Sequence, residues 1–239
     1  MYFRNYPKIP YKFGDEDYSI QYPDISIYVD VVDQVKQNIA FYKEYYIPDG
    51  ERPDTLSYRL YGNSEYYWTF FLLNPNLRLR GWPLDQRDIR NYVRKKYPYT
   101  TLTTYDLSKV YTDFLVGQSI SMQTGETVTV VDRNLDQGQI IVEYVSGDNT
   151  NTLARLTDDP SVTFTVQAQS EQYISTHHYE DTDGNWVDID PEAPRPSTLV
   201  NISWVEYYER VNTENRQINV IREDVIGSIV RDFKRKALK

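Results

Sequence analysis

Between Tyr45 and Pro75 (YYIPDGERPDTLSYRLYGNSEYYWTFFLLNP) the spacing of apolar residues changes twice. Tyr45 and Ile47 alternate, which predicts a half-buried strand. Asp49-Gly50 then turns the chain. Pro53 suits the first turn of a helix, where its missing N–H costs nothing. Leu56 and Leu60 share one face of that helix with Tyr61 alongside, and Gly62 is placed to close it in a left-handed cap. Asn63 can cap a second helix, with Glu65 in its first turn. Tyr66, Tyr67, Trp68, Phe70, Phe71, Leu72 and Leu73 make this second helix apolar nearly all round, so it should be buried. Asn74-Pro75 stops it, and the chain returns through Trp82-Pro83-Leu84.

Upstream, Pro7, Pro10 and Pro23 interrupt scattered aromatics (Tyr2, Phe3, Tyr6, Tyr11, Phe13), which forbids a helix and predicts an extended arm without regular pairing. Such an arm should lie along its own domain or a neighbour. Ile25, Ile27 and Val29 alternate like a strand, and Val32, Val35, Ile39 and Tyr42 follow at helical spacing. Downstream, Ile89 and Val93 predict a helix between an Asp85 cap and Pro98. From Thr101 the pattern alternates: Ile120/Met122, Val128/Val130, Ile140/Val142 and Val162/Phe164/Val166, with turn signals between, predict a small barrel or sandwich. Tyr173–Ile189 reads as a hairpin turning at Asp183-Gly184, Asp190–Ser197 as a stiff proline-rich loop, and Leu199–Val211, with Val200, Ile202 and Trp204, as further strand. Val225, Ile226, Ile229, Val230 and Phe233 line one face of a last helix, with Glu223 and Asp224 at its start and Lys234, Arg235, Lys236 and Lys239 at its end. The expected class is α+β, divided as 1–106, an inserted all-β module at 107–169, and 170–239 returning to the first part.

Composition narrows the chemistry. There are 239 residues and no cysteine, which excludes disulfides and thiolate-bound metal and fits a reducing compartment. No run approaches the ~18 apolar residues of a membrane span, and Met1–Gly14 lacks a signal-peptide core. A soluble chain with no membrane partner is therefore expected. The net charge of −9 argues against nucleic acid as a partner; the one basic run, Arg87–Lys96, reads as a solvated helix face. Twenty-three tyrosines point instead to protein interfaces or to a tyrosine-rich core. Asp181-Thr-Asp183-Gly184-Asn185, with Glu192 beyond, invites calcium, but an Asp-Gly hairpin turn accounts for the same residues. His177 and His178 are the only histidines and, as strand neighbours, should point to opposite faces. No Gly-x-Ser-x-Gly elbow or phosphate-binding glycine loop is present, and nothing singles out a carboxylate pair. No catalytic residue, metal, cofactor or small-molecule substrate is expected.

Two resemblances add to this reading. Tyr45-x-Ile47-x-x-Gly50-Glu51, followed by Leu56, Leu60, Tyr61-Gly62 and Leu73-Asn74, resembles a LysM module, with Arg52-Pro53-Asp54 lengthening the approach to its first helix. DGERPDTLSYRLYGNSEYYWTFFLLN, GWPL and, near the other end, ENRQINVI resemble the baseplate wedge proteins of contractile-tailed phages, the gene product fifty-three family. That resemblance implies a LysM-like strand–helix–helix core serving as a docking module. The subunit would dock onto other wedge proteins, join neighbouring wedges into a ring around the hub, and sit in the virion tail baseplate after assembly in the host cytoplasm. Tyr2, Phe3, Tyr6, Tyr11, Tyr66, Tyr67 and Trp82 are the candidate interface. The rival implication is a LysM-type peptidoglycan binder, using a groove near Gly50–Leu56.

Overall fold

The computed structural model describes residues 8–15, 17–24, 39–145, 152–193 and 196–237. The strand expected at Ile25–Val29 and the helical positions Val32 and Val35 lie outside these residues. The chain divides into two compact units, residues 1–85 with 212–239, and residues 86–211. Both helices and strands are present throughout, so the class is α+β.

Strands β1 (Lys8–Tyr11) and β2 (Ile20–Pro23) pair antiparallel as a ribbon, so the expected unpaired arm is corrected over this stretch. Ile39–Phe41 is a single 3-10 turn and Tyr42 already opens strand β3 (Tyr42–Tyr46), which corrects the helical reading of Ile39 and Tyr42. Helix α1 (Pro53–Tyr61) carries Pro53 in its first turn and ends at Gly62, whose φ of 67° lets its N–H reach Tyr58 O at 2.8 Å. The Asn63 side chain caps a 3-10 turn (Ser64–Tyr67) through Glu65 N. Helix α2 (Trp68–Leu73) follows, and Pro75 both stops it and opens a further short helix, α3 (Pro75–Arg80).

The second unit begins with helix α4 (Gln86–Lys96), which buries Ile89 and Val93. Strand β4 (Thr100–Thr103), the short helix α5 (Leu107–Val110), and strands β5 (Ser119–Met122), β6 (Thr127–Asn134), β7 (Gln139–Val142), β8 (Leu153–Leu156), β9 (Thr163–Thr165) and β10 (Ala168–Glu171) follow. They form one sheet in the order β10-β4-β7-β6-β5-β8-β9. Its two end strands are separated in the chain only by Val166 and Gln167. Val166 N donates to Thr152 O at 2.9 Å and Gln167 N to Thr103 O at 2.8 Å. One continuous segment thus seals both edges and closes the sheet into a small barrel. Ile120, Met122, Val128, Val130, Ile140, Val142 and Phe164 fill it, as the period-two pattern predicts. Strand β4 precedes the span expected for the inserted module and β10 runs past its end, so the sheet extends beyond 107–169.

Strands β11 (Thr176–Glu180), β12 (Trp186–Val187) and β13 (Val200–Ser203) form a second small sheet, β11 in the centre. The strand expected over Leu199–Val211 is corrected from Trp204 onward: helix α6 (Trp204–Glu214) begins there. Ser203 and Glu206 explain why. Ser203 N and Oγ donate to Glu206 Oε2 at 2.8 Å, and Glu206 N donates back to Ser203 Oγ at 3.3 Å. This reciprocal capping box starts a helix whatever the β propensity of Trp204 and Val205.

The chain re-enters the first unit within α6. Strand β14 (Gln217–Ile221) pairs antiparallel with β3, and helix α7 (Glu223–Ala237) closes the chain. The first unit has two apolar clusters, and α2 serves both. Phe70 joins Ile47, Leu56, Leu77, Ile218 and Val220; Trp68, Leu72 and Leu73 join Ile221, Ile226, Ile229, Val230 and Phe233. A helix between two cores has no solvent face to make polar, which is why its sequence is apolar all round.

Two outcomes follow from this packing. Leu72 is fully buried, so Leu72→Ala should cost about 2–5 kcal/mol in chemical denaturation; a loss under ~0.5 kcal/mol would contradict that burial. The first unit also holds its own break points together: Leu84 N donates to Asn212 Oδ1, and Asn212 Nδ2 to Leu84 O, both at 2.9 Å. Replacing residues 86–211 by a short Gly-Ser linker should therefore leave a chain that unfolds cooperatively and keeps the α7 helical signal. A non-cooperative melt would mean that the first unit cannot stand by itself.

Candidate protein-docking surface

The β1–β2 ribbon pairs Ile9 with Tyr22 and Tyr11 with Ile20. Pro10 and Pro23 have no N–H, so these two pairs must carry the ladder, and the prolines fall at the intervening positions, facing outward. Residues directly opposite share a face, as do residues two apart. Ile9, Tyr11, Ile20 and Tyr22 therefore all project on one side. Lys8, Pro10, Gln21 and Pro23 occupy the other. Phe13 extends the apolar side, edge-on to Tyr11 at 4.9 Å and to Tyr22 at 5.3 Å. The four strand residues are 41–52 % exposed. The outward prolines stop the ribbon from recruiting another strand at its edges, so it can dock only through this side-chain face.

Of the positions expected at the interface, Tyr2, Phe3 and Tyr6 lie outside the described residues, and Tyr11 stands in this face. Tyr66 and Tyr67 are half-buried and pack against the two cores of the first unit. Trp82 is likewise half-buried: its Nε1–H donates to Glu51 O at 2.7 Å, and its ring lies 5.8 Å from Phe70 and 5.9 Å from Phe71. Sequence reasoning missed Ile9, Ile20 and Tyr22. Their signal was the alternation on either side of the Gly14 turn, outweighed by the prolines.

The LysM-like positions do structural jobs. Tyr45 and Glu51 both bind the Arg59 guanidinium. Tyr61 Oη donates to Ile221 O at 2.9 Å, and its burial raises its pKa. Asn74 Nδ2 donates to Phe70 O at 2.7 Å and to Asn219 O at 2.8 Å, while its Oδ1 accepts from Asn219 N at 2.8 Å. Ile47 and Leu56 are buried, Leu60 packs partly against their cluster, and Gly50 and Gly62 take positive φ. Around the Gly50 turn, Asp49 is held by the buried Arg216, and Trp82 occupies the Glu51 carbonyl.

In the second unit the histidines depart from expectation. The β11–β13 register shifts between Thr176 and His178, and this irregularity turns the adjacent rings toward each other: His177 Nδ1 lies 2.7 Å from His178 Nδ1. His178 Nε2 meets Glu180 Oε1 at 3.0 Å, and Arg210 Nη1 donates to both oxygens of Glu180 at 2.8 and 2.7 Å. His177 stacks on Tyr207 at 4.2 Å and His178 on Trp186 at 3.9 Å. Arg210 holds the Glu180 carboxyl below the usual range. Burial, with His178 beside it, pushes His177 down to about 4. The Asp181 carboxylate accepts from Asp183 N and Asn185 N, both at 2.9 Å, so it closes the hairpin turn. Among the described residues no three His, Cys, Asp or Glu side chains converge as metal ligands, and no helix is long and apolar enough to cross a membrane.

A solvent-facing aromatic face on a ribbon barred from edge pairing has the composition of surfaces that proteins bury against one another. Comparison with known families agrees. Residues 1–105 match the family model described as base plate wedge protein 53, so the resemblance read from the sequence is shown over that span, which contains the ribbon and helices α1 to α4. Over those residues the chain is similar to a structural protein of the phage tail baseplate. No curated protein matches the chain.

The His177 environment yields a pH dependence. Its folded pKa of about 4 lies below the ordinary 6.5, so its contribution is complete above pH ~6.5 and is lost as pH falls toward 4. Melting curves at pH 7 and 4.5 should show a larger drop for the native chain than for His177→Phe. Equal drops would place the acid sensitivity elsewhere.

Proposed function

We propose that this wedge protein docks onto neighbouring baseplate proteins through the aromatic face of its β1–β2 ribbon. In doing so it helps join wedges into a ring around the hub, assembling in the host cytoplasm. One observation carries the reading: Ile9, Tyr11, Ile20 and Tyr22 form a single apolar face, left in solvent, within the span that matches the wedge family. Preformed aromatic side chains lose little freedom on contact, which makes them effective anchors. The ribbon is already paired, so docking does not have to order an arm from a disordered state.

The peptidoglycan reading has less support. The turn at Gly50, where a glycan would lie, is occupied by the chain's own Trp82 on Glu51 O, Arg59 on the Glu51 carboxylate and Arg216 on Asp49.

The test is co-sedimentation of the full chain with the other baseplate proteins, run beside a melting curve. Tyr11→Ser with Tyr22→Ser should leave the melting temperature nearly unchanged. Each lost anchor should weaken incorporation by about 2 kcal/mol, roughly thirtyfold. Normal incorporation of the double variant would sink the ribbon as the docking face. Tight binding of the native chain to purified peptidoglycan, with no affinity for tail proteins, would sink the docking role itself.

A further inference from the structure

Two histidine rings and a carboxylate in the second unit constrain where their protons can sit. Arg210 donates to both oxygens of Glu180 and holds it ionised, so the carboxylate can only accept. His178 Nε2, 3.0 Å from Glu180 Oε1, must therefore carry a hydrogen. The two Nδ1 atoms, 2.7 Å apart, have room for one hydrogen between them and not for two. In the neutral pair that hydrogen belongs to His177, because His178 already has its own on Nε2. His177 Nε2 is then bare, and it has no hydrogen-bond partner among the described residues.

The pair must take up protons in two unlike steps. The first proton enters at His177 Nε2 and leaves the Nδ1–H···Nδ1 bond whole. Shifting the bridging hydrogen to His178 then carries the charge to the ring beside Glu180 without displacing a heavy atom, and the bond is strengthened by the charge. A second proton puts hydrogen on both Nδ1 atoms, which must then separate. Burial, with His178 beside it, resists that charge on His177.

The surroundings determine which side gives way. From α6, Tyr207 stacks on His177 at 4.2 Å, Trp204 meets it edge-on at 4.3 Å, and Arg210 grips Glu180. From β11 itself, Glu180 holds His178. Strand β13 brings only Val200, Asn201, Ile202 and Ser203, none of them charged. From β12, uncharged Trp186 stacks on His178 at 3.9 Å, yet it is 63 % exposed on a strand of two residues. That layer is the weakest.

We propose that the His177–His178 pair is an acid-operated clasp on the β11–β12 hairpin: one proton leaves its rings in place, and a second parts them and frees Trp186 from its stack. The clasp lies outside the span that matches the wedge family and acts independently of the ribbon.

The test is nuclear magnetic resonance of the full chain, isotope-labelled in its histidine ring nitrogens; His177 and His178 are the only histidines, so two rings give every signal. At neutral pH a nitrogen–nitrogen coupling across the hydrogen bond should join the two Nδ1 atoms. On acidification the pair should titrate in two steps more than about one pH unit apart. The coupling, and the Overhauser contacts between the Trp186 indole and the His178 ring, should survive the first step and vanish in the second. Barrel methyl groups such as those of Ile120 and Val130 should keep their shifts throughout. His177→Phe should leave a single step. Arg210→Gln should move the first step to higher pH, since the charge on His178 then faces a carboxylate without its guanidinium. A missing coupling, a single shared step, an Arg210→Gln first step that stays in place, or Trp186 contacts that outlast the second step would each overturn the proposal. Loss of the barrel methyl signals in the same step would overturn it in favour of global unfolding.

Discussion

The first unit depends on a strand that comes from the far end of the chain. Strand β14 has two edges. One pairs with β3; the other is met by side chains, because Asn74 gives both its donor and its acceptor to the backbone of Asn219 and Tyr61 donates to Ile221 O. An Asn amide has the same donor and acceptor as a peptide unit, so Asn74 acts as a one-residue strand while its remaining N–H closes the end of α2 on Phe70 O. A buried backbone group left unpaired costs about 1–3 kcal/mol, so this one side chain removes several such penalties at once. It also joins the helical half of the unit to a strand lying 145 residues further along.

Several elements were legible because a local rule and the global packing agreed. Gly62 closes α1 because only a residue without Cβ sits easily at that φ, and the two leucines before it face the core. The terminal helix was legible from its charge polarity and its single apolar face. Elsewhere one rule outweighed another. Trp204 and Val205 favour a strand by propensity, yet Ser203 and Glu206 supply four helix-starting groups at the right spacing, and the cap decides. Strands β4 and β10 have no alternation to read; they exist because one segment had to close both edges of the barrel.

The β1–β2 ribbon shows the same competition at smaller scale. Proline argues against regular pairing, which hid the ribbon, but the argument applies only to positions whose N–H must point at the partner strand. In β1 and β2 the prolines occupy the other positions. The sequence therefore carried both the ribbon and its protection from edge pairing, and the parity of Pro10 and Pro23 against Tyr11 and Tyr22 held the information. The His177–His178 pair escaped for a related reason: alternation of side chains presumes a regular ladder, and the β11–β13 register breaks at that point.

The span that matches the wedge family and the span that folds together are different. Residues 1–105 include β3, α1 and α2, but not Ile218 and Val220, two of the six buried residues of one apolar cluster, nor Ile221, Ile226, Ile229, Val230 and Phe233, five of the eight of the other. Taken alone, the matched span would expose Trp68, Leu72 and Phe70 and leave the inner edge of β3 without its partner. Residues 212–239 are thus as much a part of the first unit's fold as the matched segment is. The 126-residue second unit is tolerated between them because the two chain crossings are tied together at Leu84 and Asn212. An insertion at that point adds loop length without pulling the strands apart, and loop length costs little once its ends are fixed.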